Sequence, residues 1–335
     1  MEIKQILVFK ESRLDEGRVA LTPGAVHQLK KNGIPIFIER QAGNLSQFTD
    51  EDYVQAGATI FTLDAQLPAQ SVILRVKRPT KERETLENKL FSDNTVMMGF
   101  LDPLKDDISH IDRWQTLGLK LISLELLPLA ANDPKNAQAA MSHIAGRLAL
   151  KDAINRYQGS HAKNVTVIGT GPAGLAAAFA AKELHLHVQL FGRKEQFRQL
   201  AEEAEIDYFV LPEYEPREFL RQYLKDQTII ITAARAIGKK APLLIDEPEF
   251  NLLPDYSVIV DLSTGEGGSV KGSKSDRAIT INRHISIVNI SGYPKTEPRV
   301  ASVAFSDCMV NLLVELITAN KELDFNHPLL KSSCH

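Results

Sequence analysis

Short apolar runs alternate with helix-like runs along most of the chain, which is the pattern of a parallel β-sheet with crossover helices. In the first half, runs rich in branched apolar residues predict strands, and the stretches between them predict helices. The predicted strands are Ile3–Phe9, Ile34–Glu39, Val72–Val76, Thr95–Phe100 and Leu119–Leu124, and the predicted helices include Pro23–Lys31, Asp50–Ala56 and Asp107–Leu117. Thr49, followed by three acidic residues, is typical of a capped helix start.

A second strand–helix series follows one long predicted helix, Ala137–Tyr157. Its strands are predicted at Asn164–Ile168, Leu186–Phe191, Thr228–Thr232 and Ser257–Asp261. A last helix is predicted at about Arg299–Asn320, so the chain is expected to return to its first domain. The 335 residues therefore predict an α/β fold of two Rossmann-like parallel-sheet domains joined by a long helix. We expect the first domain at 1–135 plus 300–335 and the second at 136–299.

Composition excludes several classes of protein. Hydrophobic residues make up 44% of the chain and the net charge is −3, without the basic block of a nucleic-acid binder. Cys308 and Cys334 are the two cysteines, and the second is next to last, so we expect reduced thiols in a cytoplasmic protein. The charged N-terminus fits no signal peptide, and Cys308–Ile317 is far shorter than a membrane span. No set of metal ligands is predicted.

The strongest local signal is a glycine-rich loop between a strand and a helix. Val165–Ile168 leads directly into Gly169-Thr170-Gly171-Pro172-Ala173-Gly174 and then into an alanine-rich helix, and His187–Phe191 follows as a second strand. In such loops the first glycine permits a tight turn, the second lets a pyrophosphate approach the backbone, and the third lets helix and sheet pack closely. Pro172 fits the first helical turn. The loop predicts a nicotinamide dinucleotide site, against the alternative of a structural turn.

Two later strand ends are expected at the same site. Thr232 and Ala233 end one apolar strand, and Asp261 ends another, followed by a glycine-rich segment that contains Glu266. Ligands of open α/β sheets bind beyond the carboxyl ends of the strands, which favours contacts from these residues. Taken alone, each segment is also consistent with an ordinary loop.

The residues after the second strand of this domain bear on cofactor choice. NAD-binding Rossmann units carry an acidic residue there, which binds the adenosine ribose. Here the strand is followed by Gly192, Arg193 and Lys194. Gly192 lacks the carboxylate that would repel a 2′-phosphate, and the two cations can bind that phosphate. The segment therefore predicts that NADP(H) is accepted and preferred, unless Arg193 and Lys194 only begin a solvated helix.

Six segments together resemble one protein family, and they occur along this chain in the order in which that family carries them. They are RVALTP (Arg18–Pro23), LRVKRP (Leu74–Pro79), GFLDPL (Gly99–Leu104), MSHIAGR (Met141–Arg147), GTGPAG and VDLSTGEGG. This series, which covers nearly the whole chain, resembles the alanine dehydrogenase and nicotinamide nucleotide transhydrogenase family. The resemblance implies at least a homodimer built through the second domain and its long helix.

An alanine-dehydrogenase-like reading assigns roles to three residues of the first domain. The resemblance matches Arg18 and Lys77 to the residues on the substrate carboxyl and carbonyl groups. The position of the acid/base histidine is Asp102 here, and the position of the acid/base aspartate is Gly265, with Glu266 displaced by one residue. A carboxylate with an ordinary pKa near 4 is a poor proton donor at neutral pH. This departure counts against amino-acid dehydrogenation.

A transhydrogenase needs no acid/base histidine, because hydride passes directly between two nicotinamide rings. GFLDPL followed by LELLP (Leu124–Pro128) looks like the nucleotide-binding part of its alpha subunit. Gly292–Ser302 resembles its mobile loop, in which Tyr293 would cover the nucleotide. The segment 129–143 departs from that subunit because it lacks the arginine that contacts the nicotinamide; Asn132, Asp133 and Gln138 are candidates to replace it.

We therefore predict a transhydrogenase alpha-type subunit that exchanges hydride with a second nicotinamide nucleotide on a partner, with a membrane subunit as a further partner. An alanine-dehydrogenase-like amino- or imino-acid oxidoreductase and a nucleotide-binding sensor without catalysis remain open as alternatives. Structural roles also compete with the site assignments. Arg18 fits a surface ion pair, Asp102 and Tyr293 fit turns, and the charged run from Lys77 to Glu84 is interpreted as a solvated helix face.

Overall fold

The computed structural model of this protein describes residues 1–63, 70–91, 94–104, 107–234, 240–263 and 267–331. The chain divides into two compact units, each of which has its own sheet. The first unit comprises Met1–Met141 and Pro294–His335, and the second comprises Ser142–Tyr293.

Strands and helices alternate through both units. In the described portion of the chain the strands are β1 (Gln5–Val8), β2 (Ile36–Glu39), β3 (Thr59–Phe61), β4 (Ser71–Lys77), β5 (Val96–Phe100), β6 (Lys120–Ser123), β7 (Asn164–Ile168), β8 (His187–Gly192), β9 (Asp207–Val210), β10 (Ile229–Thr232), β11 (Val258–Asp261), β12 (Arg277–Thr280) and β13 (Ser286–Asn289). The helices there are α1 (Pro23–Leu29), α2 (Asp50–Ala56), α3 (Lys81–Glu87), α4 (Ser109–Thr116), α5 (Ala137–Arg156), α6 (Pro172–Glu183), α7 (Arg198–Glu203), α8 (Pro216–Arg221), α9 (Glu247–Phe250) and α10 (Pro298–Leu316).

The sheet of the first unit is parallel, with the described strands in the order β3-β2-β1-β4-β5-β6. The order reverses between β1 and β4, which is the usual binding edge of a doubly wound sheet. Strands β1, β4 and β5 are almost fully buried, as expected for parallel strands that are covered on both faces.

The sheet of the second unit has the described order β12-β13-β11-β10-β7-β8-β9. Its pairs are parallel, except that β12 runs antiparallel to β13 at the edge. The reversal lies between β7 and β10. The glycine-rich loop directly follows β7, and Ala233 directly follows β10. The expected α/β class with two Rossmann-like parallel sheets is confirmed.

Local capping and one returning helix shape the first unit. Thr49 and Asp52 form a reciprocal capping box at the start of α2, as the sequence predicted. Helix α10 returns to this unit, where the hydroxyl oxygens of Ser302 and Ser306 accept hydrogen bonds from the backbone N–H groups of Val19 and Thr22 at 3.0 and 2.9 Å. The return of the C-terminal helix is thus confirmed.

Some elements differ from the sequence prediction. The short strands β12 and β13 were not predicted, and α10 ends at Leu316 rather than near Asn320. Ile317 is extended there and bridges to Leu323, which stops the helix. No helix within the described ranges is long and apolar enough to cross a membrane. Cys308 is buried, and Cys334 lies outside the described residues.

A buried ion pair ties α3 to the first sheet and predicts a large mutational effect. Arg75 Nη2 lies 2.6 Å from Glu87 Oε2, and both side chains are at most 1% exposed. The change Glu87→Gln leaves the Arg75 charge buried without its partner, so the free energy of unfolding should fall by about 3 kcal/mol or more. Urea denaturation followed by circular dichroism measures this loss. The control is Glu183→Gln, which breaks an exposed pair with Arg147 and should barely change the midpoint.

Candidate functional site

The glycine-rich loop of the second unit is shaped by backbone contacts that exclude side chains. Gly169 has a φ of +123°, and a Cβ atom there would lie 2.5 Å from the carbonyl oxygen of Ala233. A Cβ atom on Gly174 would lie 1.9 Å from the carbonyl oxygen of Gly169. These two glycines therefore close the turn between β7 and α6 and hold it against the end of β10.

The middle glycine faces open space instead. A Cβ atom on Gly171 would meet no described atom within 4 Å. Gly171 is also the N-cap of α6, a position without a side-chain cap, and Pro172 occupies the first helical turn. The backbone N–H groups of Ala173 and Gly174 belong to that first turn, where they have no partner within the helix. The geometry leaves a polar, approachable backbone surface at a positive helix end, which suits a pyrophosphate.

Thr232 and Asp261 are used for internal structure. Both are fully buried, and the Thr232 hydroxyl donates to Asp261 Oδ1 at 2.9 Å. The same carboxylate accepts from the backbone N–H groups of Ser263 and Ser269 at 2.9 and 3.0 Å. These side chains hold the ends of β10 and β11 together, so contacts from this edge to a nucleotide stay a prediction. Glu266, like Gly265, lies outside the described residues.

Tyr293 is anchored by its hydroxyl group. The residue is 2% exposed and packs in the hydrophobic core of the second unit. Its hydroxyl donates to Asp152 Oδ2 on α5 at 2.9 Å. Burial raises the pKa of Tyr293, and the Asp152 charge raises it further. That Tyr293 covers a bound nucleotide stays a prediction. It requires the hydrogen bond between the Tyr293 hydroxyl and Asp152 to break.

At the end of β8, Gly192 is enclosed by two side chains. A Cβ atom there would lie 2.4 Å from the Tyr208 hydroxyl and 2.5 Å from Thr170 Cγ2. The Tyr208 hydroxyl donates to the carbonyl oxygen of Lys194 at 2.7 Å and thereby fixes the turn after the strand. Arg193 and Lys194 are both exposed, and neither forms an ion pair within the described ranges. Two exposed cations therefore directly follow position 192, at which NAD-binding units place a carboxylate.

In the first unit, Asp102 is held between two arginines. Its Oδ2 atom lies 3.1 Å from Arg13 Nη2 and 3.1 Å from Arg78 Nε, and its side chain is 13% exposed. The residue has a φ of +55°, which Asp tolerates before a proline turn. Glu125 accepts the backbone N–H of Asp102 at 2.9 Å and that of Leu101 at 3.3 Å. Two guanidinium groups thus hold the carboxylate of Asp102 in place.

Arg18 and Lys77 lie within electrostatic reach of each other in this unit. Burial lowers the pKa of Lys77, and Arg18 lowers it further, whereas Asp102 opposes the shift. The Lys77 ammonium lies 5.0 Å from the ring centroid of Phe100. Arg18 is 4% exposed, and its guanidinium is bound by Glu16 through Nε at 2.7 Å and Nη2 at 2.5 Å. The alternative that Arg18 forms a surface ion pair is wrong, because its pair with Glu16 is buried. The role of Arg18 as a substrate ligand stays a prediction.

Sequence reasoning missed Arg13, Arg78 and Glu125, which surround Asp102. The run from Lys77 to Glu84 was interpreted as a solvated helix face. Lys81 and Glu82 are exposed on α3, but the interpretation was wrong for Arg78 and Glu84. Arg78 binds Asp102, while Glu84 is buried and accepts both Arg113 Nε and Nη2, at 2.8 and 3.0 Å. The positions of Arg13 and Arg78 in the chain were a signal that could have found them. Arg13 follows β1 and Arg78 follows β4, the two strands between which the order of the sheet reverses.

The N-terminal domain model described as alanine dehydrogenase/PNT matches residues 7–145, and the corresponding C-terminal domain model matches residues 137–334. The chain belongs to the alanine dehydrogenase/PNT family. The resemblance found in the sequence is thereby confirmed.

Relatives in this family carry two different names. NAD(P) transhydrogenase subunit alpha of Haemophilus influenzae is 26% identical over 95% of this chain, which spans 67% of that protein. A shorter NAD(P) transhydrogenase alpha-subunit protein of Rickettsia prowazekii is 27% identical, covering 96% of this chain and 91% of that protein. Alanine dehydrogenase of Staphylococcus saprophyticus is 26% identical, covering 96% and 90%. Identity therefore does not separate the two activities.

Solved structures show the same fold. A transhydrogenase from Sinorhizobium meliloti has a TM-score of 0.89 at 24% identity, covering 98% of this chain and 97% of that one. An L-alanine dehydrogenase has a TM-score of 0.85 at 24% identity, covering 98% and 94%. Both likenesses are of fold alone.

The segment that departs from the transhydrogenase pattern within this family forms local structure. Asn136 caps α5 by accepting the Ala139 N–H at 2.9 Å. Asp133 binds Lys135, whose ammonium also lies 2.8 Å from Glu315 Oε2. Of the candidates to replace the missing arginine, Asp133 is thus engaged in an ion pair, whereas Asn132 is exposed and Gln138 is partly buried.

Glu11, beside this site, predicts a pH dependence of stability. It accepts the backbone N–H groups of Val76 and Lys77 at 2.7 and 3.1 Å, and burial raises its pKa from 4.5 to about 7. The folded state therefore binds this proton more tightly than the unfolded state. The contribution of Glu11 to the free energy of unfolding should fall as pH rises from 4.5 to about 7.

Urea midpoints of the wild type and of Glu11→Gln, measured from mildly acidic to mildly alkaline pH, test this effect. The substitution should flatten the fall of stability with pH, whatever its absolute cost. Glu51→Gln, on an exposed position of α2, is the control and should keep the wild-type slope. Equal slopes in all three proteins would show that Glu11 does not titrate in this range.

Proposed function

We propose that this protein is a transhydrogenase alpha-type subunit, which binds a nicotinamide dinucleotide at Gly169–Gly174 and exchanges hydride with a second nicotinamide nucleotide on a partner subunit. The cofactor supplies the hydride chemistry, and the protein orients the ring and excludes water. The open backbone at Gly171 and the uncapped start of α6 support the binding component of the proposal. A homodimer and a membrane partner subunit belong to the same proposal.

The contacts of Asp102 with two arginines are the observation that carries the choice of reaction. Oxidation of an amino acid needs a group that exchanges a proton along with the hydride. Asp102 occupies the expected position of that group, yet it is shared by Arg13 and Arg78 at 3.1 Å each. An ion-paired carboxylate is a poor proton donor at neutral pH. Direct transfer between nicotinamide rings needs no such group.

Arg18 and Lys77 favour the second candidate, an alanine-dehydrogenase-like oxidoreductase. A guanidinium and an ammonium group with a lowered pKa suit a substrate with adjacent carboxylate and carbonyl groups. Against this, the Nε and Nη2 atoms of Arg18 are bound to Glu16. A catalytically inactive nucleotide sensor is the third candidate.

We also propose that NADP(H) is preferred over NAD(H). Gly192 provides no carboxylate, and the side chains of Tyr208 and Thr170 lie where one would stand. Arg193 and Lys194 are exposed, and no ion pair within the described portion of the chain occupies them. A 2′-phosphate would gain a planar fork from Arg193 and a point charge from Lys194.

An assay for two reactions separates the candidate activities. The isolated chain, given pyruvate, ammonia and NADPH or NADH, should not oxidise the reduced cofactor. With NADPH or NADH as the hydride donor, a partner nucleotide-binding subunit and an oxidised nicotinamide analogue as the acceptor, hydride exchange should be seen as a change in absorbance. The alanine dehydrogenase of Staphylococcus saprophyticus serves as the positive control for reductive amination. Turnover of pyruvate by this chain would overturn the transhydrogenase proposal in favour of the second candidate.

Fluorescence titration tests the cofactor preference. Wild-type protein should bind NADPH more tightly than NADH, and Arg193→Ala should weaken NADPH by about tenfold, since it removes one charge-assisted contact. NADH binding should change little. Arg277→Ala, an exposed arginine on the edge strand β12, is the matched control and should leave both affinities unchanged. Tighter NADH binding that is unaffected by Arg193→Ala would show that the basic pair is only surface.

A further inference from the structure

A cavity of about 490 Å³ in the first unit is not explained by the proposed activity. The loops after β1 and β4 and the start of α4 surround it. Its described lining includes Arg13, Arg78, Lys81, Ser109, His110 and Arg113. A space of this size holds a small metabolite.

Two of its arginines are fixed in place by hydrogen bonds. Arg78 Nη1 lies 2.8 Å from Nδ1 of His110, a residue that is 2% exposed, and the other ring nitrogen lies 2.7 Å from the Leu101 carbonyl oxygen. A guanidinium group can only donate, so Nδ1 accepts and Nε2 carries the proton. Burial lowers the pKa of His110, which is consistent with this neutral ring. Arg13 is fixed in turn, because its Nε donates to the Arg78 carbonyl oxygen at 2.9 Å.

The charges around the cavity do not balance. Arg113 is neutralised by Glu84, whereas Arg13 and Arg78 share the single Oδ2 atom of Asp102. Lys81 is exposed and forms no ion pair with any described residue. Asp107 adds one negative charge at the rim, where it accepts the Ser109 N–H at 3.0 Å. The lining thus keeps positive charge on side chains whose directions are already set.

We propose that this cavity binds a small polyanion, a molecule that carries phosphate groups or clustered carboxylates. Arg13 and Arg78 would offer planar forks to its anionic groups, and Lys81 would add a point charge. Because both guanidinium groups are held before binding, little side-chain entropy is lost when the anion arrives. The site is distinct from the nucleotide loop, which belongs to the second unit.

Calorimetric titration with inorganic pyrophosphate and, separately, with citrate tests the proposal and compares phosphate with carboxylate. Saturating NADPH is included so that the glycine-rich loop is already occupied. Wild-type protein should bind one of the two anions with saturation. Lys81→Glu should weaken that binding by about tenfold or more, because attraction becomes repulsion. Lys89→Glu, which reverses an exposed charge outside the cavity lining, is the matched control. It should change the affinity for the anion by less than about twofold.

Arg13→Lys supplies a second measurement, because it keeps the charge and removes the fork. This substitution should also weaken anion binding. A thermal melt verifies that the variant is folded. Anion affinity that is equal in wild type, Lys81→Glu and Arg13→Lys would overturn the proposal, as would no saturable binding of either anion at millimolar concentration. If NADPH itself does not bind, the nucleotide proposal fails, yet the difference between Lys81→Glu and Lys89→Glu still decides the cavity.

Discussion

The reversal of strand order beside the first strand of each sheet is the constraint on which both candidate sites depend. In a doubly wound sheet the loops after the first and fourth strands separate there and leave space at the carboxyl edge. In the second unit these loops are Gly169–Gly174 and the segment that starts at Ala233. In the first unit they begin after β1 and β4 and bring Arg13, Arg78 and Lys77 together. The same topology therefore offers backbone N–H groups at a helix N-terminus in the second unit and a cluster of charged side chains in the first unit.

Ion pairs and backbone hydrogen bonds hold the carboxylates around Arg18 and Asp102 in place. Each carboxylate beside Arg18 and Asp102 is engaged: Glu16 binds Arg18, Glu125 accepts two backbone N–H groups, and Asp102 is shared by two arginines. Proton transfer requires a group that gains and loses its proton at little cost. These side chains hold charges in fixed directions, which suits orienting a ligand. Glu11, whose pKa burial raises to about 7, lies beside Lys77 and is a group that exchanges a proton near neutral pH.

The fold was predictable from the sequence because its main signals are local. Each of these signals predicts structure in the residues next to it. Examples are the apolar strands, Thr49 at a helix start, and the spacing of Gly169, Gly171 and Gly174. The surroundings of Asp102 were not predictable, since Arg13 lies 89 residues away from it in the chain. The enclosure of Gly192 by Tyr208 was missed for the same reason, because the tyrosine comes from the next strand. Long-range side-chain pairing leaves no periodic trace in one sequence.

The enclosure of Gly192 restricts which side chains can replace this glycine. A carboxylate at position 192 would overlap the Tyr208 hydroxyl and Thr170, so that substitution alone brings a steric penalty before any benefit. Loss of the hydroxyl first would free the turn that it fixes through Lys194. A carboxylate at position 192 therefore requires Tyr208 and Thr170 to rearrange as well.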